Sequence, residues 1–244
     1  MTYCVAMLVD EGLLFASDSR TNAGVDHVST FSKMTVIEQP GERVMVLLNA
    51  GNLATTQTVV SALRKKMHAD EVSIASASSM FDVARLVGEA VRAVINYQSG
   101  QTQGGTKVDF DCTFLVGGQI AGEPPRLFLV YPEGNFIESS ADTCFFQIGE
   151  SKYGKPIIDR VVGPNTHMDE AIKCALVSFD STMRSNLSVG LPLDIALVAR
   201  DALRVGFRHR VGPDDEYFAS LRTGWGQGLR KVFNELPAPD WLKI

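Results

Sequence analysis

Threonine is the residue directly after Met1, and it begins the strand-like run TYCVAMLV. A small residue at position 2 permits removal of Met1 by methionine aminopeptidase, which would give Thr2 a free α-amine beside its hydroxyl. A threonine hydroxyl is a weak nucleophile, but an α-amine titrates at about pH 8 and can act as its general base. Thr2 is therefore a candidate N-terminal nucleophile, although most threonines at position 2 have no such function.

Two charged residues downstream could support such a nucleophile. Asp18 ends a second strand pattern, and the turn DEG between the two patterns predicts a hairpin that brings Asp18 near Thr2. Lys33 begins a third strand pattern, and its ammonium group would favour an alkoxide and lower the pKa of the amine. Taken alone, an exposed turn aspartate and a solvated edge-strand lysine are the more ordinary interpretations.

A strand-to-helix junction, NAGNLATTQ, supplies a candidate oxyanion donor at Gly51. Glycine lets the backbone approach a ligand, and N–H groups at a helix start suit a developing negative charge. The alternative is an ordinary helix start with a flexible first residue.

Together these segments resemble the proteasome β-subunit superfamily of N-terminal nucleophile hydrolases. The match comprises the threonine start, ASDSRTNAG, SKM and AGNLATTQ, and it covers about the first sixty residues. The finer match of GLLFASDSRTNAGVD is to bacterial members, of which the HslV-type peptidases are one group. The resemblance implies that Thr2 is the nucleophile, that Asp18 and Lys33 support it, and that the Gly51 N–H binds the oxyanion.

The resemblance also implies roles for residues outside these motifs. Asn22 and Leu53 fall where the family lines its substrate cleft. Ser151 is the candidate for the serine that supports the threonine amine, with Glu150 as the alternative. The family's final Asp-x-x-Ser element corresponds only partly to the segment SNLS, in which Ser188 keeps the serine and Ser185 replaces the aspartate.

Composition favours a globular protein and excludes several functional classes. Of 244 residues, 45% are hydrophobic and 21% charged, which is the ordinary globular range. A net charge of −5 argues against a nucleic-acid partner, and no apolar run reaches the roughly 18 residues of a membrane helix. The start has no secretory signal pattern, so we expect a cytoplasmic protein. Four cysteines and four histidines show no metal-ligand spacing, which predicts buried free thiols and no metal or organic cofactor.

The elements form blocks of strands and helices rather than a strict alternation of the two. Strands are predicted over Thr2–Val9, Leu13–Ser17, Lys33–Glu38, Val44–Ala50, Asp111–Val116, Arg126–Tyr131, Asn135–Glu138, Cys144–Ile148, Ile195–Ala199 and Leu203–His209. Helical spacing predicts one helix that ends near His68, one capped by Ser78 or Ser79, and one that begins near His167, with a loop over Tyr97–Lys107. Blocks of this kind favour layered antiparallel sheets with helices outside.

We therefore expect an α+β fold in one domain, residues 1–244, and the resemblance specifies a four-layer αββα sandwich. The expected function is threonine-type cleavage of peptide or amide bonds within a homo-oligomeric assembly. Two alternatives stay open, namely an assembly subunit with little or no peptidase activity and an amidase for small molecules. The segment GWGQG has the glycine spacing of a phosphate loop but lacks its ending, so we interpret it as structural.

Overall fold

Two antiparallel sheets form the centre of the molecule. The computed structural model describes residues 1–22, 28–68, 72–101 and 108–241. The first sheet has the strand order β10-β1-β2-β11-β12, the second has the order β5-β6-β7-β8-β9, and β3 and β4 form a separate hairpin. The strands are β1 Tyr3–Val9, β2 Gly12–Asp18, β3 Arg20–Asn22, β4 Val28–Thr30, β5 Met34–Gln39, β6 Arg43–Gly51, β7 Cys112–Ile120, β8 Arg126–Val130, β9 Phe136–Glu138, β10 Phe145–Gly149, β11 Leu193–Ala199 and β12 Phe207–Val211.

Helices cover the outer face of each sheet. They are α1 Leu53–Met67, α2 Met80–Gln101, α3 Lys155–Val161, α4 Met168–Ser185 and α5 Glu216–Glu235. The pair α1 and α2 packs on the second sheet through a core that includes Val59, Val87 and Phe114. The first sheet packs on α3, α4 and the start of α5 through a core that includes Val5 and Phe179. A third core, between the sheets, completes the four layers, so the predicted αββα sandwich is confirmed.

The first strands are buried on both faces, which explains their nearly continuous apolar sequence. Along β1 one set of side chains, such as Cys4, enters the core between the sheets, and the alternate set, such as Val5, faces α4. β1 lies between β2 and β10, with Cys4 opposite Ser17 and Tyr3 opposite Gly149. The start of β1 is therefore enclosed by neighbouring strands on both sides.

Several boundaries differ from the sequence predictions. Helix α2 continues to Gln101, so the loop predicted from Tyr97 is wrong at its start, and residues 102–107 lie outside the described part of the chain. The strand predicted over Leu203–His209 instead spans Phe207–Val211. Its predicted beginning is wrong because Leu203 has a φ of 47°, a left-handed conformation that a strand does not contain.

Other predictions on packing have mixed outcomes. Phe81, in the first turn of α2, is half exposed and packs edge-on against Phe136. All four cysteines are buried and free, as predicted. The segment GWGQG lies inside α5 and forms no loop. None of the helices in the described part of the chain is long and apolar enough to cross a membrane. That residues 1–244 form a single domain stays a prediction.

Candidate active site

Thr2 lies at the start of β1, and hydrogen bonds fix the backbone next to it on both sides. The Tyr3 N–H donates to Asp18 Oδ1 at 3.0 Å, and the Glu150 N–H donates to the Thr2 carbonyl oxygen at 2.7 Å. Gly149 permits the second contact, because it has a φ of 80° and a Cβ there would clash with the Thr2 carbonyl oxygen. Strands β2 and β10 thus hold Thr2 in one position.

A buried ion pair lies beside this strand end. Lys33 Nζ is 2.7 Å from Asp18 Oδ1, and the two side chains are 5% and 0% exposed. Lys33 Nζ also donates to the carbonyl oxygen of Arg20 at 2.7 Å. Burial raises the pKa of Asp18, and the adjacent Lys33 ammonium group opposes that rise. The ordinary interpretations of an exposed aspartate and a solvated lysine do not apply here.

Thr2 and Lys33 line the same cavity, which has a volume of about 150 Å³. Its other lining residues are Met1, Arg20, Thr21, Asn49, Ala50, Gly51, Leu53 and Thr56. A wider groove of about 370 Å³ shares Asn49, Leu53 and Thr56 with this cavity and continues along α1 to Arg64. The nucleophile candidate Thr2 thus lies in a cavity that shares three lining residues with the groove along α1.

Unsatisfied polar atoms concentrate around this cavity. In the described part of the chain, five buried side-chain polar atoms have no hydrogen-bond partner. Four of them belong to consecutive or nearly consecutive residues at the end of β2 and in β3, namely Ser17, Asp18, Arg20 and Thr21. Native proteins leave few such groups, and an unpaired cluster commonly marks a functional site. Of these four residues, Arg20 and Thr21 line the cavity that Thr2 lines, and Asp18 contacts its lining residue Lys33.

Comparisons with known proteins identify the family of this chain. The family model "Proteasome subunit" matches residues 2–198. A solved structure of Anbu (ancestral beta-subunit) from Yersinia bercovieri is 53% identical, covers 98% of this chain and 100% of its own, and superposes with a TM-score of 0.92. The chain belongs to the proteasome subunit family, among its Anbu-type members.

Two further relatives show the range of this family. A structure described as the helical assembly of the Anbu complex from Pseudomonas aeruginosa is 50% identical over 98% of both chains, with a TM-score of 0.92. A proteasome subunit beta from Haloquadratum walsbyi is 21% identical over 205 residues, which are 84% of this chain and 76% of that protein. The high identity thus lies within the Anbu group of the proteasome subunit family.

Most of the residues predicted from the proteasome-family motifs come together in space. Thr2, Lys33, Gly51 and Leu53 line one cavity, and Asp18 contacts Lys33 at its wall. Gly51 has a φ of 111°, and a Cβ there would clash with the carbonyl oxygen of Asp111, so only glycine suits this junction. The catalytic and substrate-binding roles of these residues stay predictions.

The roles of the remaining predicted site residues also stay predictions, and Ser151 and Ser185 are not among the residues that line this cavity. The Ser151 hydroxyl makes no hydrogen bond within the described residues, whereas the neighbouring Glu150 contacts the Thr2 backbone. Ser185 is exposed at the end of α4, and Asn186 instead reaches the carboxylate of Glu150 at 2.7 Å. Asn22 ends β3, and its side chain lies outside the described residues.

Sequence reasoning missed Thr21 and Asn186. Thr21 lines the Thr2 cavity, whereas the family resemblance selected the next residue, Asn22. Asn186 is the C-cap of α4, and its partner Glu150 is 36 residues away in sequence. An asparagine just after the last residue of a long helical pattern was the available signal.

Within the described residues no group of three or more His, Cys, Asp or Glu side chains could hold a metal ion.

Proposed function

We propose that the protein is a threonine-type N-terminal nucleophile hydrolase that cleaves peptide or amide bonds within a homo-oligomeric assembly in the cytoplasm. The observation that carries this proposal is the shared cavity of Thr2 and Lys33, with Lys33 fixed by the buried Asp18. Membership of the proteasome subunit family supports it.

The proposed reaction begins after Met1 is removed. The Thr2 α-amine takes the proton of the Thr2 hydroxyl, and the oxygen attacks the substrate carbonyl carbon. The nearby Lys33 ammonium group stabilises the developing negative charge on the nucleophile, and the Gly51 N–H donates to the oxyanion. Collapse of the tetrahedral intermediate breaks the amide bond, and the α-ammonium group gives its proton to the leaving amine.

The second half of the reaction regenerates the threonine. The first half leaves an acyl-ester on the Thr2 oxygen. A water molecule gives a proton to the α-amine and attacks the ester carbonyl, which releases the acid and returns the proton to the Thr2 oxygen. No step of this route requires a metal ion or an organic cofactor. Thr2 and its own amine therefore supply both the nucleophile and the base.

Self-association is supported by the C-terminal helix and by a relative. Helix α5 is attached to the body at its first turns, through the buried Phe218 and an ion pair between Arg222 and Asp180. Apolar residues in its later part and at its C-cap are exposed and line a groove of about 540 Å³; they are Leu229, Val232, Phe233 and the C-cap Leu236. An exposed apolar face of this kind suits a protein partner. Because the relative from Pseudomonas aeruginosa is described as a helical assembly, we propose a second copy of this chain as the partner.

A covalent probe tests the chemistry. Protein shown by intact mass to lack Met1 should react with an epoxyketone, which bonds to both the hydroxyl and the amine of an N-terminal threonine. Thr2→Ala should abolish labelling and hydrolysis while the assembly persists, and Thr2→Ser should keep partial activity because both reacting groups remain.

Each outcome of this experiment discriminates between functions. Labelling that persists in Thr2→Ala and maps to Cys4 or Ser151 would overturn the assignment of Thr2. Absence of labelling in wild-type protein without Met1 would favour an assembly subunit with no peptidase activity. Profiling of labelled protein with peptide and small-amide substrates then separates a peptidase from a small-molecule amidase.

Light scattering tests the assembly. Wild-type protein at micromolar concentration should form a multi-subunit particle, and Phe233→Asp should reduce its size because the side chain is 73% exposed on the α5 face. Leu187→Asp is the matched control, since Leu187 is 83% exposed outside this face. A strictly monomeric wild type would refute the assembly while leaving the chemistry of Thr2 open.

A further inference from the structure

The proposed reaction leaves unused a buried carboxylate next to Thr2. Glu150 is 4% exposed, and its backbone N–H contacts the Thr2 carbonyl oxygen. One carboxylate oxygen accepts a hydrogen bond from Asn186 Nδ2 at 2.7 Å, and the other lies 3.2 Å from Nζ of Lys152. The Lys152 side chain is 66% exposed, so its charge is largely screened by solvent. Burial of a carboxylate is costly without such partners, and this one lies at the reacting strand end.

Asn186 holds this carboxylate in a defined orientation. It is the C-cap of α4, and its own N–H donates to the Thr182 carbonyl oxygen. Its side-chain Oδ1 accepts from the Ser188 N–H at 2.9 Å, while its Nδ2 donates to Glu150. Because one amide group serves as acceptor on one side and donor on the other, both of its ends are satisfied and its rotamer is fixed.

The segment that starts at Asn186 also contacts the other wall of the site. The Leu187 carbonyl oxygen accepts from Arg20 Nη1 at 3.1 Å, and Gly190 packs so closely on Arg20 that a Cβ would clash with the guanidinium. The Pro192 carbonyl oxygen accepts from both the N–H and the hydroxyl of Ser19. Residues 186–192 therefore form a strap that joins Glu150 to the end of β2.

Glu150 is close enough to act electrostatically on the Thr2 amine. The Glu150 nitrogen is 2.7 Å from the Thr2 carbonyl oxygen. Standard covalent dimensions then bound the carboxylate-to-amine separation at roughly 11 Å. Buried charges at this separation shift one another's pKa by about half a unit to one unit.

Charged groups of both signs surround the strand end that carries the amine. They are Asp18, Arg20, Lys33, Glu150 and Lys152. The Asp18 carboxylate, 2.7 Å from Lys33 Nζ, offsets part of the Lys33 charge, and the charge of the exposed Lys152 is largely screened by solvent. Glu150 is thus the buried negative charge that can offset the cationic groups.

We propose that Glu150 and Asn186 are a positioning pair for the nucleophile: Asn186 fixes the carboxylate, and its negative charge sets the proton affinity of the Thr2 α-amine. A general base works best when its pKa is near the working pH, and Lys33 and Arg20 would otherwise lower the pKa of this amine. The catalytic meaning of the pair rests on the function proposed above. Its electrostatic effect on the amine does not.

Exchange of the two groups gives a cycle of variants with matched geometry. Glu150→Gln keeps an oxygen to accept from Asn186 and removes only the charge. Asn186→Asp places two carboxylates at hydrogen-bond distance, so it should be the least stable of the four proteins. The double variant, Glu150→Gln with Asn186→Asp, restores one charge, one donor and the acceptor for the Ser188 N–H.

The readout is the titration of the Thr2 amine itself. Mature protein without Met1 is acetylated with acetic anhydride at a series of pH values, and the modified N-terminal peptide is quantified by mass spectrometry. In Glu150→Gln the amine should titrate about half a pH unit lower than in wild type, and the double variant should return it towards the wild-type value. Glu89→Gln, on the outer helix α2, is the control and should leave the titration unchanged.

Two results would overturn the proposal. One is an unchanged amine titration in a folded Glu150→Gln variant. The other is a double variant whose Thr2 amine titrates no closer to the wild-type value, and whose thermal stability is no higher, than in Asn186→Asp. Failure of wild-type protein to react with the epoxyketone would refute the proposed hydrolase instead, because acetylation of the amine requires no catalysis.

Discussion

The two ends of the β1–β2 pair use charge in opposite ways. At the Thr2 end, Asp18 and Lys33 form an ion pair that is almost completely buried. At the turn end, Glu11 contacts His167 Nδ1 at 2.7 Å, and the two side chains are 48% and 76% exposed. The same two strands thus carry one ion pair in the protein interior and one in solvent.

The two environments give these pairs different physical consequences. When an ion pair is buried, the free energy lost by dehydrating the two charges is about as large as the free energy gained from their attraction, so the pair adds little stability. Removal of one partner is nevertheless strongly destabilising, because the other charge is left buried alone. Its charges are also poorly screened, which is what a reaction with charged intermediates requires. An exposed pair is screened and contributes little to either property.

The turn end has a structural purpose. Glu11 also accepts from the Met168 N–H at the start of α4, and Arg200 Nε donates to the Asp10 carbonyl oxygen. These contacts satisfy a helix start and attach the turn to its neighbours. Of the two ends, the Thr2 end therefore carries the buried ion pair, with unpaired polar atoms of the described residues beside it, and the turn end carries the solvent-exposed pair.

The largest effect should come from Lys33→Met. It should abolish epoxyketone labelling, since the positive charge that supports the nucleophile is lost, with a decrease of at least about 100-fold in rate. Because Asp18 would then be buried without its partner, we expect a loss of about 3–5 kcal/mol in the free energy of unfolding. Labelling kinetics and urea denaturation measure the two effects.

The destabilisation by Lys33→Met should depend on pH. Burial already raises the pKa of Asp18, and loss of Lys33 raises it further, so the folded state binds the proton more tightly than the unfolded state. The destabilisation should therefore be smallest in acid and grow as pH rises through the pKa of Asp18 in the folded protein. Lys155→Met, which removes an exposed lysine paired with Asp159 on α3, is the control. Labelling within a few-fold of wild type would show that Lys33 does not support Thr2.

A smaller effect should follow from Tyr3→Phe, which separates the scaffold of this strand end from its chemistry. The Tyr3 hydroxyl is hydrogen-bonded to Ser178 and Gln147, and its ring packs on Phe179 with centroids 4.6 Å apart. Loss of the hydroxyl should cost about 1–2 kcal/mol in the free energy of unfolding, because two buried polar partners are left. Labelling of Thr2 should stay within a few-fold, since the ring lies on the α4 side of the sheet.

The partner variant Ser178→Ala completes a double-mutant cycle for this hydrogen bond. The losses in free energy of unfolding of Tyr3→Phe and Ser178→Ala, added together, should exceed the loss measured for the double variant, because both single variants remove the same hydrogen bond. A large loss of labelling in Tyr3→Phe without a loss of stability would place the phenol in the reaction rather than in the scaffold.

The contrast between the two ends also explains what the sequence could predict. Thr2, Asp18 and Lys33 were identifiable because a tight hairpin and regular strands fix their relation within a short stretch of chain. Gly51 followed from a strand-to-helix junction whose local geometry depends on few residues, and Leu53 followed from the family resemblance. The layered fold likewise followed from the order of elements and from the family resemblance.

Features that depend on distant contacts or on single-residue register escaped prediction. The pairing of Glu150 with Asn186 joins two irregular segments that no local pattern relates. Thr21 was missed because the family resemblance selected its neighbour Asn22, and no local pattern showed that Thr21 lines the Thr2 cavity. The continuation of α2 to Gln101 was missed because polar residues at a helix end resemble those of a loop.

The smallest effect should come from Glu11→Gln at the turn end. His167 lowers the pKa of Glu11, with help from the Met168 N–H, and Glu11 raises the pKa of His167. The pair therefore stabilises the fold between the ordinary pKa of a glutamate, about 4.3, and that of a histidine, about 6.5. The stabilisation is lost as pH falls through the lowered pKa of Glu11 and as pH rises through the raised pKa of His167.

Thermal melts of Glu11→Gln and wild type at about pH 5.5 and pH 8.5 measure this contribution, at pH values on either side of the ordinary pKa of histidine. Because both side chains are solvent-exposed, the variant should lower Tm by no more than about 1 °C at the lower pH and by less at the higher pH. Glu170→Gln, also in the first turn of α4, controls for loss of an acidic residue near the helix start. A decrease in Tm of several degrees, or a larger decrease in Tm at the higher pH, would contradict the contrast between a buried ion pair at the Thr2 end and a screened one at the turn end. The turn end would then carry a strongly coupled charge pair like the Thr2 end, and burial would no longer explain why chemistry is expected at only one of them.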